Sequence, residues 1–540
     1  MPFRGADDEG TMTLRDRIPF VGSGGDEDPP PFLAGASTWA TELQYHDIPK
    51  PVRRAAKSQL TSTVGAAVWT LSHPLGSRIA DAVLTRRLDG NATFLGGSRL
   101  TPEESACGNA ALSVALDFDE TLLGGHTGHS SVFVPLAYAE ALDASGREVV
   151  LAQVAANEIA DRLAAAAGVG SVRSQEAVYV HAAAAAVGRC LIEGDDAETL
   201  SNALAVALGQ PPEPLEPSFL GSDAKPWGVR DSVRTGLDAV DTARANTTGN
   251  VDVVEAEQGF LDEVAERPVV DFLDGLGKRW HTRAVSVKDV PGSVHVVAPV
   301  EAALEARGSL DRGRTTIRRI DVYASRFTVE ANSRASPFLD GPASPISTLT
   351  STIPYNVAVA LVDGAHTPNQ LEESRVDDPA VWRLADRVFV HHDPSFTLRE
   401  LRAEGVATSG LGRSGSSAMI HATKSAGISA VARHPKAVVG LARRRPIPDE
   451  TSTIRHRTGV RVEVTTTDGR TIEATVEQPT GFAGTPLAEV RAVARRKCRR
   501  GLRARGVREP TAREITEALL SIDGSDAVSL ARLSGRDNNT

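Results

Sequence analysis

The fold class follows first from residues 149–168, VVLAQVAANEIADRLAAAAG. Apolar residues recur there at the spacing of one helix face, and alanine, the strongest helix former, dominates. A second run at 197–212, AETLSNALAVALGQPP, repeats the pattern and closes with glycine and proline, which end helices. Similar stretches fill the first half of the chain. We therefore expect a helical domain over about residues 35–285.

The pattern changes near Lys288, where short β-branched runs begin to alternate with helices. The clearest signal is a hairpin at 461–477, RVEVTTTDGRTIEATVE, whose two strands meet at Asp468 and Gly469. That dipeptide is typical of a type I′ turn. Further elements are predicted as strands at 317–325, 325–331 and 387–392 and as a helix in YNVAVALVDG. The pattern predicts a second, α+β domain over 286–480, and a protein that is mainly α.

Three segments lie outside these two domains. Residues 1–34 are rich in Gly, Asp and Pro without an apolar period, so we expect a disordered tail. Residues from about 400 to 455 are rich in Gly, Ser and Arg, and are predicted to be a long insertion or mobile loop within the second domain. Over 481–540 the helical pattern returns, and C-terminal helices are predicted.

Composition excludes several classes of protein. The 540 residues carry a formal charge of −10, which repels phosphate backbones and anionic membranes, so neither nucleic acid nor membrane is expected as a partner. No run approaches the roughly 18 apolar residues of a membrane span, and the first residues lack the apolar core of a signal peptide. The 3 cysteines are far apart, which is typical of a reducing compartment. We expect a cytoplasmic protein.

Residues that can do chemistry concentrate at 115–131, ALDFDETLLGGHTGHSS. If the preceding helix extends to Thr121, then Asp117 and Thr121 lie four residues apart on one face. Gly124 and Gly125 would end that helix and let the chain fold two histidines back toward the face. Carboxylate, hydroxyl and imidazole together suit general acid–base catalysis. The candidates in this segment are Asp117, Asp119, Glu120, Thr121, His126 and His129.

The same segment has two other interpretations. Asp119 and Glu120 are equally consistent with solvated carboxylates, and one histidine with a packed loop residue. Aspartate, glutamate and two histidines are also metal ligands. However, HTGH in a glycine-rich turn is a weak metal signature, and we predict neither a metal nor a cofactor.

Three residues elsewhere are candidates for binding an anion. Lys225 directly precedes Pro226, and Lys288 lies at the junction of the two domain patterns, where ligand clefts are favoured. Tyr355 is predicted in the first turn of a helix, where its phenol can donate to an anion. Each also has an ordinary interpretation, as a solvated lysine or a half-buried packing tyrosine. The basic run at 491–508, RAVARRKCRRGLRARGVR, is most simply a solvated helix face.

Taken in order, these segments resemble the MmgE/PrpD family of 2-methylcitrate dehydratases and cis-aconitate decarboxylases. The resemblance spans about residues 38–525. It implies an all-helical domain with an α+β lid, C-terminal helices that pack back on the helical domain, and a homodimer. It also implies a cofactor-independent lyase whose cleft lies between domain and lid. The matching pieces are SACGNAALSVALDFDET, the pair His129 and Ser130, HAAAAAVGRCL, DAKPWG, VSVKDVPG, IPYNVAVALVDG and the terminal hairpin.

The resemblance assigns the site residues and the reaction. The spacing from aspartate to histidine is about two residues longer than in the family, so His126 competes with His129 for the catalytic role. We expect a hydro-lyase that acts on a small di- or tricarboxylate, as in the 2-methylcitrate dehydratases of propionate metabolism. The alternatives are a cis-aconitate-type decarboxylase and a non-catalytic carboxylate-binding homologue. The implied catalytic residues are Asp117, Thr121, His129, Lys225, Lys288 and Tyr355.

Overall fold

A computed structural model describes residues 30–533 apart from 87, 169–177, 213, 266–267, 311–315 and 404–457. Most of the predicted tail and nearly all of the predicted insertion at 400–455 lie outside the described residues. The first helix already begins at Phe32, so the boundary predicted for the tail is wrong for its last residues. The reason is burial, because Phe32 and Leu33 are packed into the core.

Eleven described helices precede the junction between the two halves of the chain. Many begin with proline in the first turn, where its missing N–H costs nothing. The described bounds are α1 Phe32–Glu42, α2 Lys50–Thr70, α3 Pro74–Leu84, α4 Pro102–Val114, α5 Gly128–Ala141, α6 Gly146–Gly168, α7 Tyr179–Glu193, α8 Ala197–Leu208, α9 Glu216–Leu220, α10 Lys225–Arg244 and α11 Phe260–Val264. Helices α5, α6 and α7 are buried almost throughout and form the centre of this half.

The second half is built on a four-stranded sheet with the order β6-β5-β7-β8. Its described strands are β5 Ile317–Ala324, β6 Val388–His392, β7 Val460–Thr466 and β8 Thr471–Val476, and only the β5–β6 pair is parallel. Its described helices are α12 Val294–Gly308, α13 Arg326–Ala335, α14 Ile346–Ser351, α15 Ile353–Asp363, α16 Glu373–Val376, α17 Pro379–Ala385 and α18 Pro394–Ala403. Apolar residues of the sheet and of α12 and α15 form one core.

The structure confirms most of the predicted elements here. The hairpin and the position of its turn are confirmed, and Gly469 has the left-handed φ of 88° that glycine favours. The predicted type I′ turn is wrong, because Asp468 does not have the positive φ that this turn also requires. The helix in YNVAVALVDG is confirmed as part of α15, Ile353–Asp363. The strand predicted at 325–331 is wrong, because Ser325 accepts a hydrogen bond from the Thr328 N–H and so caps α13.

The C-terminal helices lie against the helical domain. They are α19 Leu487–Ala504, α20 Glu509–Leu520 and α21 Leu530–Leu533. Helix α19 packs along α2 so closely that a Cβ at Gly65 would lie 2.7 Å from the Cα of Cys498. Among the helices of the described ranges, none combines the length and the low charge needed to cross a bilayer.

Two short strands connect the halves of the molecule. β3, Glu120–Thr121, pairs with β4, Ser286–Val287, while β1, Asp89–Thr93, and β2, Arg99–Leu100, form a separate pair. The expected extension of a helix to Thr121 is wrong, since α4 ends at Val114. Asp117 has a φ of 49°, which a right-handed helix cannot contain. Asp117 and Thr121 therefore do not share a helix face.

Candidate active site

The Asp117 carboxylate is contacted by residues from both halves of the molecule. Its Oδ1 accepts a hydrogen bond from Lys225 Nζ at 2.5 Å, and Lys225 begins α10 of the helical domain. Its Oδ2 lies 3.1 Å from Ser293 Oγ and 3.1 Å from Thr350 Oγ1, both in the second half. Burial alone would raise the pKa of Asp117, but Lys225 and Lys288 outweigh it and lower that pKa. The carboxylate is therefore charged at neutral pH.

Lys288 joins Asp117 to Asp119. It follows β4 directly and is 0% exposed. Its Nζ donates to the carbonyl of Asp117 at 2.9 Å and to Asp119 Oδ1 at 2.9 Å. The same Asp117 carbonyl accepts from the Gly292 N–H at 3.2 Å. These contacts hold the left-handed turn at Asp117, and they confirm that Lys225 and Lys288 lie at one place.

The second oxygen of Asp119 faces two histidines. His126 Nδ1 is hydrogen-bonded to Asp119 Oδ2, and His129 Nε2 lies 3.3 Å from the same oxygen. Burial would raise the pKa of Asp119, but Lys288 and His126 overcome this and hold it well below its ordinary value. The sequence predicted the histidines to fold back toward Asp117 and Thr121, and the structure corrects this, because both imidazoles face Asp119.

The two histidines differ in exposure. The His126 side chain is 32% exposed, whereas that of His129 is 1% exposed. His129 Nδ1 lies 2.7 Å from Ser113 Oγ, which itself donates to the Ala110 carbonyl at 2.8 Å. Because a carbonyl can only accept, the serine proton is directed there, and the serine oxygen accepts from the His129 Nδ1–H. This tautomer leaves the lone pair of His129 on Nε2.

A third imidazole, His181, lies beside His129. The ring centroids are 5.3 Å apart, and His181 Nδ1 is 3.1 Å from Ser130 Oγ. Burial, reinforced by the nearby His129, holds the pKa of His181 well below its ordinary value, so this ring is neutral. The sequence alone does not assign His181 to the site, because it is a single polar residue at the start of an alanine-rich helix.

The side chain of Asp161 stabilises the glycine turn that precedes His126. Asp161 Oδ1 accepts from the Gly124 N–H at 2.8 Å and the Gly125 N–H at 3.0 Å. A Cβ at Gly124 would lie 2.4 Å from the Ala165 nitrogen, so glycine is required there. The two glycines turn the chain and bring both histidines to one carboxylate, although the turn follows a loop and a short strand instead of a helix.

Two predicted site residues do not join this cluster. The Thr121 hydroxyl donates to the carbonyls of Leu122 and Gly125, at 3.2 and 3.3 Å, and so stabilises the loop. The Tyr355 hydroxyl donates to the Gln370 carbonyl at 2.5 Å, and its ring packs on Trp382 in the core. Burial raises the pKa of Tyr355. The structure thus brings Asp117, His129, Lys225 and Lys288 together but places Tyr355 as a packing residue.

Asp119, His126 and His129 are the set of described residues whose donor atoms lie close enough to hold a metal, within 4.8 Å of one another. The ammonium of Lys288, 2.9 Å from Asp119, opposes a second cation at this position. A carboxylate, two imidazoles and two lysines are better suited to binding an anion and moving a proton.

The site and the fold define a class: a helical domain and an α+β domain with a cluster of lysines, aspartates and histidines at their junction. Comparison with known families agrees with this layout. The MmgE/PrpD N-terminal domain matches residues 36–273, and the MmgE/PrpD C-terminal domain matches residues 291–421. Together the two matches cover more than half of the sequence, and the chain belongs to the MmgE/PrpD family.

Curated relatives are distant but consistent. The chain is 25% identical over 362 residues to a 2-methylcitrate dehydratase of Cupriavidus necator. The aligned region covers 63% of this chain and 74% of that protein. It is 23% identical over 374 residues to the 2-methylcitrate dehydratase of Escherichia coli, with 66% and 76% covered. A cis-aconitate decarboxylase-like protein, oryM of Aspergillus oryzae, is 24% identical over 388 residues, with 66% and 79% covered.

Proposed function

We propose that this protein is a hydro-lyase that removes water from a small di- or tricarboxylate, beginning at a C–H next to a carboxylate. The observation that supports this most is the buried cluster in which two lysines, two aspartates and two histidines are connected by contacts of 3.3 Å or less. The names of the relatives support dehydration as the reaction. The cluster itself supports proton abstraction in the presence of fixed cations.

Lys225 and Lys288 are proposed to bind the substrate carboxylates. Removing a proton next to a carboxylate places additional negative charge on that group, and fixed cations stabilise this charge. Lys225 stands at the N-terminus of α10, where the helix dipole also favours an anion. Its Nζ lies 4.7 Å above the Phe219 ring, which limits its freedom. Asp117 and Asp119 balance the two ammonium groups and hold them in place.

His129 is proposed as the base. Its Nδ1–H is committed to Ser113, and its buried Nε2 has no well-aligned hydrogen-bond partner within the described part of the chain. This nitrogen is therefore available to accept a proton from carbon. His126, bonded to Asp119 through Nδ1 and partly exposed, keeps its Nε2 for donation to the leaving hydroxyl.

The proposed elimination balances as follows. The C–H electron pair becomes the new carbon–carbon double bond, and the proton moves to His129 Nε2. The carbon–oxygen bond breaks, and the hydroxyl leaves as water with a proton from His126. The proton on His129 is then released to solvent, and His126, whose side chain is 32% exposed, takes up a proton from solvent, so that both rings return to their starting state. Neither a metal nor a redox cofactor is required in this sequence.

A second candidate function is decarboxylation of cis-aconitate or a related acid. The observation that favours it is the similarity to the cis-aconitate decarboxylase-like protein of Aspergillus oryzae. The same two lysines would hold the remaining carboxylates while carbon dioxide leaves. A third candidate, a homologue that binds carboxylates without turnover, is consistent with the same cations.

Incubation of the purified protein with citrate, 2-methylcitrate and cis-aconitate tests these candidates. We expect a mass change of one water with at least one hydroxy acid. Loss of carbon dioxide from cis-aconitate instead would establish the decarboxylase. An increase in melting temperature with an acid, without any change in its mass, would establish the binding protein.

The biological setting is also a proposal. Resemblance to the family supports a homodimer acting on an acid of propionate metabolism. The three cysteines are free and buried, which is consistent with a reducing compartment such as the cytoplasm. Light scattering on the purified chain tests the dimer.

A further inference from the structure

Lys497 is a buried lysine to which the proposed mechanism gives no role. It lies in α19, in the basic run at 491–508 that the sequence predicts to be a solvated helix face. Lys497 contradicts that expectation, since it is 1% exposed. Its Nζ donates to the carbonyl of Phe118 at 2.6 Å, to Ser62 Oγ at 2.8 Å and to the carbonyl of Asp119 at 3.4 Å.

The contacts of Lys497 fall on the segment that carries the two site carboxylates. This segment lies between the end of α4 at Val114 and the start of β3 at Glu120, so its carbonyls lack the regular partners of a helix or sheet. Lys288 binds the carbonyl of Asp117, and Lys497 binds the carbonyls of the next two residues. Two ammonium groups thus fix three successive peptides, including the left-handed turn.

The ammonium of Lys497 also lies over an aromatic ring. Its Nζ is 4.3 Å from the centroid of the Phe118 ring, which adds a cation–π contact to its hydrogen bonds. Arginine outnumbers lysine greatly in this chain and fills the rest of the basic run, so lysine at this position is specific. Burial lowers the pKa of Lys497 to about 7, against the opposing effect of Glu120 and Asp119.

Helix α19 also contacts the segment that follows β4. Arg496 Nη2 lies 2.5 Å from Asp289 Oδ2, and Asp289 directly follows Lys288 in the chain. Adjacent residues of one C-terminal helix therefore hold the segment before β3 and the segment after β4. The catalytic lysine and the shared carboxylate lie between these two attachments.

We propose that Lys497 is a positioning residue for the reaction. From the C-terminal helix it donates hydrogen bonds to the carbonyls of Phe118 and Asp119, and in this way it holds the Asp119 carboxylate against His126 and His129. This inference rests on the proposed function. It extends that function by including α19 in the site.

The first test compares Lys497→Met with Lys57→Met. Lys57 forms a partly buried ion pair with Asp523 and touches none of the site residues named above, so its loss controls for the removal of a lysine. We expect Lys497→Met to lower kcat by about a hundredfold with little change in KM, because Lys225 and Lys288 still bind the substrate. Lys57→Met is expected to keep both constants. A kcat for Lys497→Met near that of the wild type would overturn the proposal.

Chemical rescue separates a role of the ammonium from simple filling of space. Lys497→Ala leaves a hole beside two carbonyls, which propylamine can enter as an ammonium ion and propanol only as a neutral donor. We expect propylamine to restore kcat and propanol not to do so. Equal rescue by the two compounds would reduce Lys497 to a packing residue. If the alanine variant does not fold, Lys497→Gln, which keeps a donor without charge, is assayed without added amine. A kcat as low as that of Lys497→Met supports the role of the ammonium, and a kcat near that of the wild type overturns it.

A readout that needs no turnover keeps this proposal distinct from the proposed function. Diethyl pyrocarbonate labels imidazoles, and peptide mass spectrometry measures the rate at the partly exposed His126. We expect faster labelling in Lys497→Met and an unchanged rate in Lys57→Met, because Asp119 no longer holds the ring. An unchanged rate in both variants would refute positioning. If the wild type acts on none of the tested acids, the proposed function fails while this measurement still decides the role of Lys497.

Discussion

Two groups of buried charges in this molecule are built in different ways. The anchor cluster consists of Glu158, Asp161, Arg162 and His281, and its charges bind mainly to the backbone. Glu158 accepts from the N–H groups of His281 and Thr282, and Arg162 donates to the carbonyls of Gly275 and Arg279. In the site cluster of Asp117, Asp119, His126, His129, Lys225 and Lys288, ionisable side chains bond to one another, as Lys225 does to Asp117 and as Lys288 and His126 do to Asp119.

This difference separates a structural role from a chemical one. A charge bound to several backbone groups has fixed partners and resists exchange. Ionisable side chains bound to one another can trade partners with a substrate and pass protons. Asp161 joins the two clusters, since it fixes the glycine turn and accepts from His281 Nδ1 at 2.9 Å. The anchor cluster therefore fixes the position of the glycine turn that carries His126 and His129 to the site.

The largest expected effect lies in the anchor cluster. Arg162→Met leaves Glu158 buried without its cation, and breaking such a pair costs about 3–5 kcal/mol in the free energy of unfolding. Urea denaturation measures this loss. If Arg162→Met proves as stable as the wild type, the cluster does not anchor the fold, and the contrast between the two groups disappears.

The next largest effect is expected on kcat, when a histidine of the site cluster is replaced. His129→Ala is expected to lower kcat by at least about a hundredfold, since proton transfer by a positioned imidazole contributes this much. The melting temperature should fall far less than in Arg162→Met. The matched variant is His126→Ala, which tests the proposed acid. Full activity in His129→Ala would remove that residue from the mechanism and assign the base to His126.

A smaller effect is expected for substrate binding. Lys225→Met should lower kcat/KM by about ten- to a hundredfold, the value of one charge-assisted hydrogen bond. The control is Lys57→Met, whose ion pair with Asp523 involves none of the cluster residues. Equal values of kcat/KM in the two variants would show that Lys225 serves only to balance Asp117.

Acid should weaken the site cluster. In the folded protein the pKa values of Asp117 and Asp119 lie below their ordinary value of 3.8. At a pH between the folded and the ordinary pKa, the unfolded chain therefore binds more protons than the folded one. The contribution of these two carboxylates to the free energy of unfolding therefore rises with pH across this range. It is fully present above pH 3.8 and is lost as the pH falls below that value. Melting curves of the wild type and Asp119→Asn measure this. The same pH dependence in both would contradict the assignment.

No effect is expected from chelation. Lys288 already occupies Asp119 Oδ1, so exhaustive treatment with EDTA should leave turnover unchanged. Activity that disappears with EDTA and returns with zinc would instead assign Asp119, His126 and His129 to a metal.

The sequence predicted those parts of the fold that depend on local chemistry. The Asp468–Gly469 turn and the helix in YNVAVALVDG follow from neighbours within a few residues, and both are confirmed. The helix predicted up to Thr121 ends at Val114 instead. The left-handed backbone of Asp117, further along the loop, is incompatible with a continued helix, and Asp119 is the carboxylate that faces the histidines.

The rest of the site depends on contacts between distant segments. Lys288 reaches Asp119 because β3 pairs with β4, and Lys497 reaches Phe118 because α19 packs on α2. Neither contact leaves a local pattern, since each lysine is surrounded by ordinary loop or helix residues. The family resemblance identified Lys288 by motif but gave no role to Lys497. For Tyr355 the motif was present, and packing on Trp382 decided its position.

Transfer of solvent deuterium to carbon tests whether His129 moves the proton next to the carboxylate. The unsaturated acid that corresponds to an active hydroxy acid is incubated with the protein in deuterium oxide, and the hydroxy acid formed is analysed by mass spectrometry and NMR. We expect deuterium on the carbon next to the carboxylate with the wild type, and almost none in the same time with His129→Ala. Conversion of the acid by the wild type without deuterium at that carbon would contradict this role of His129.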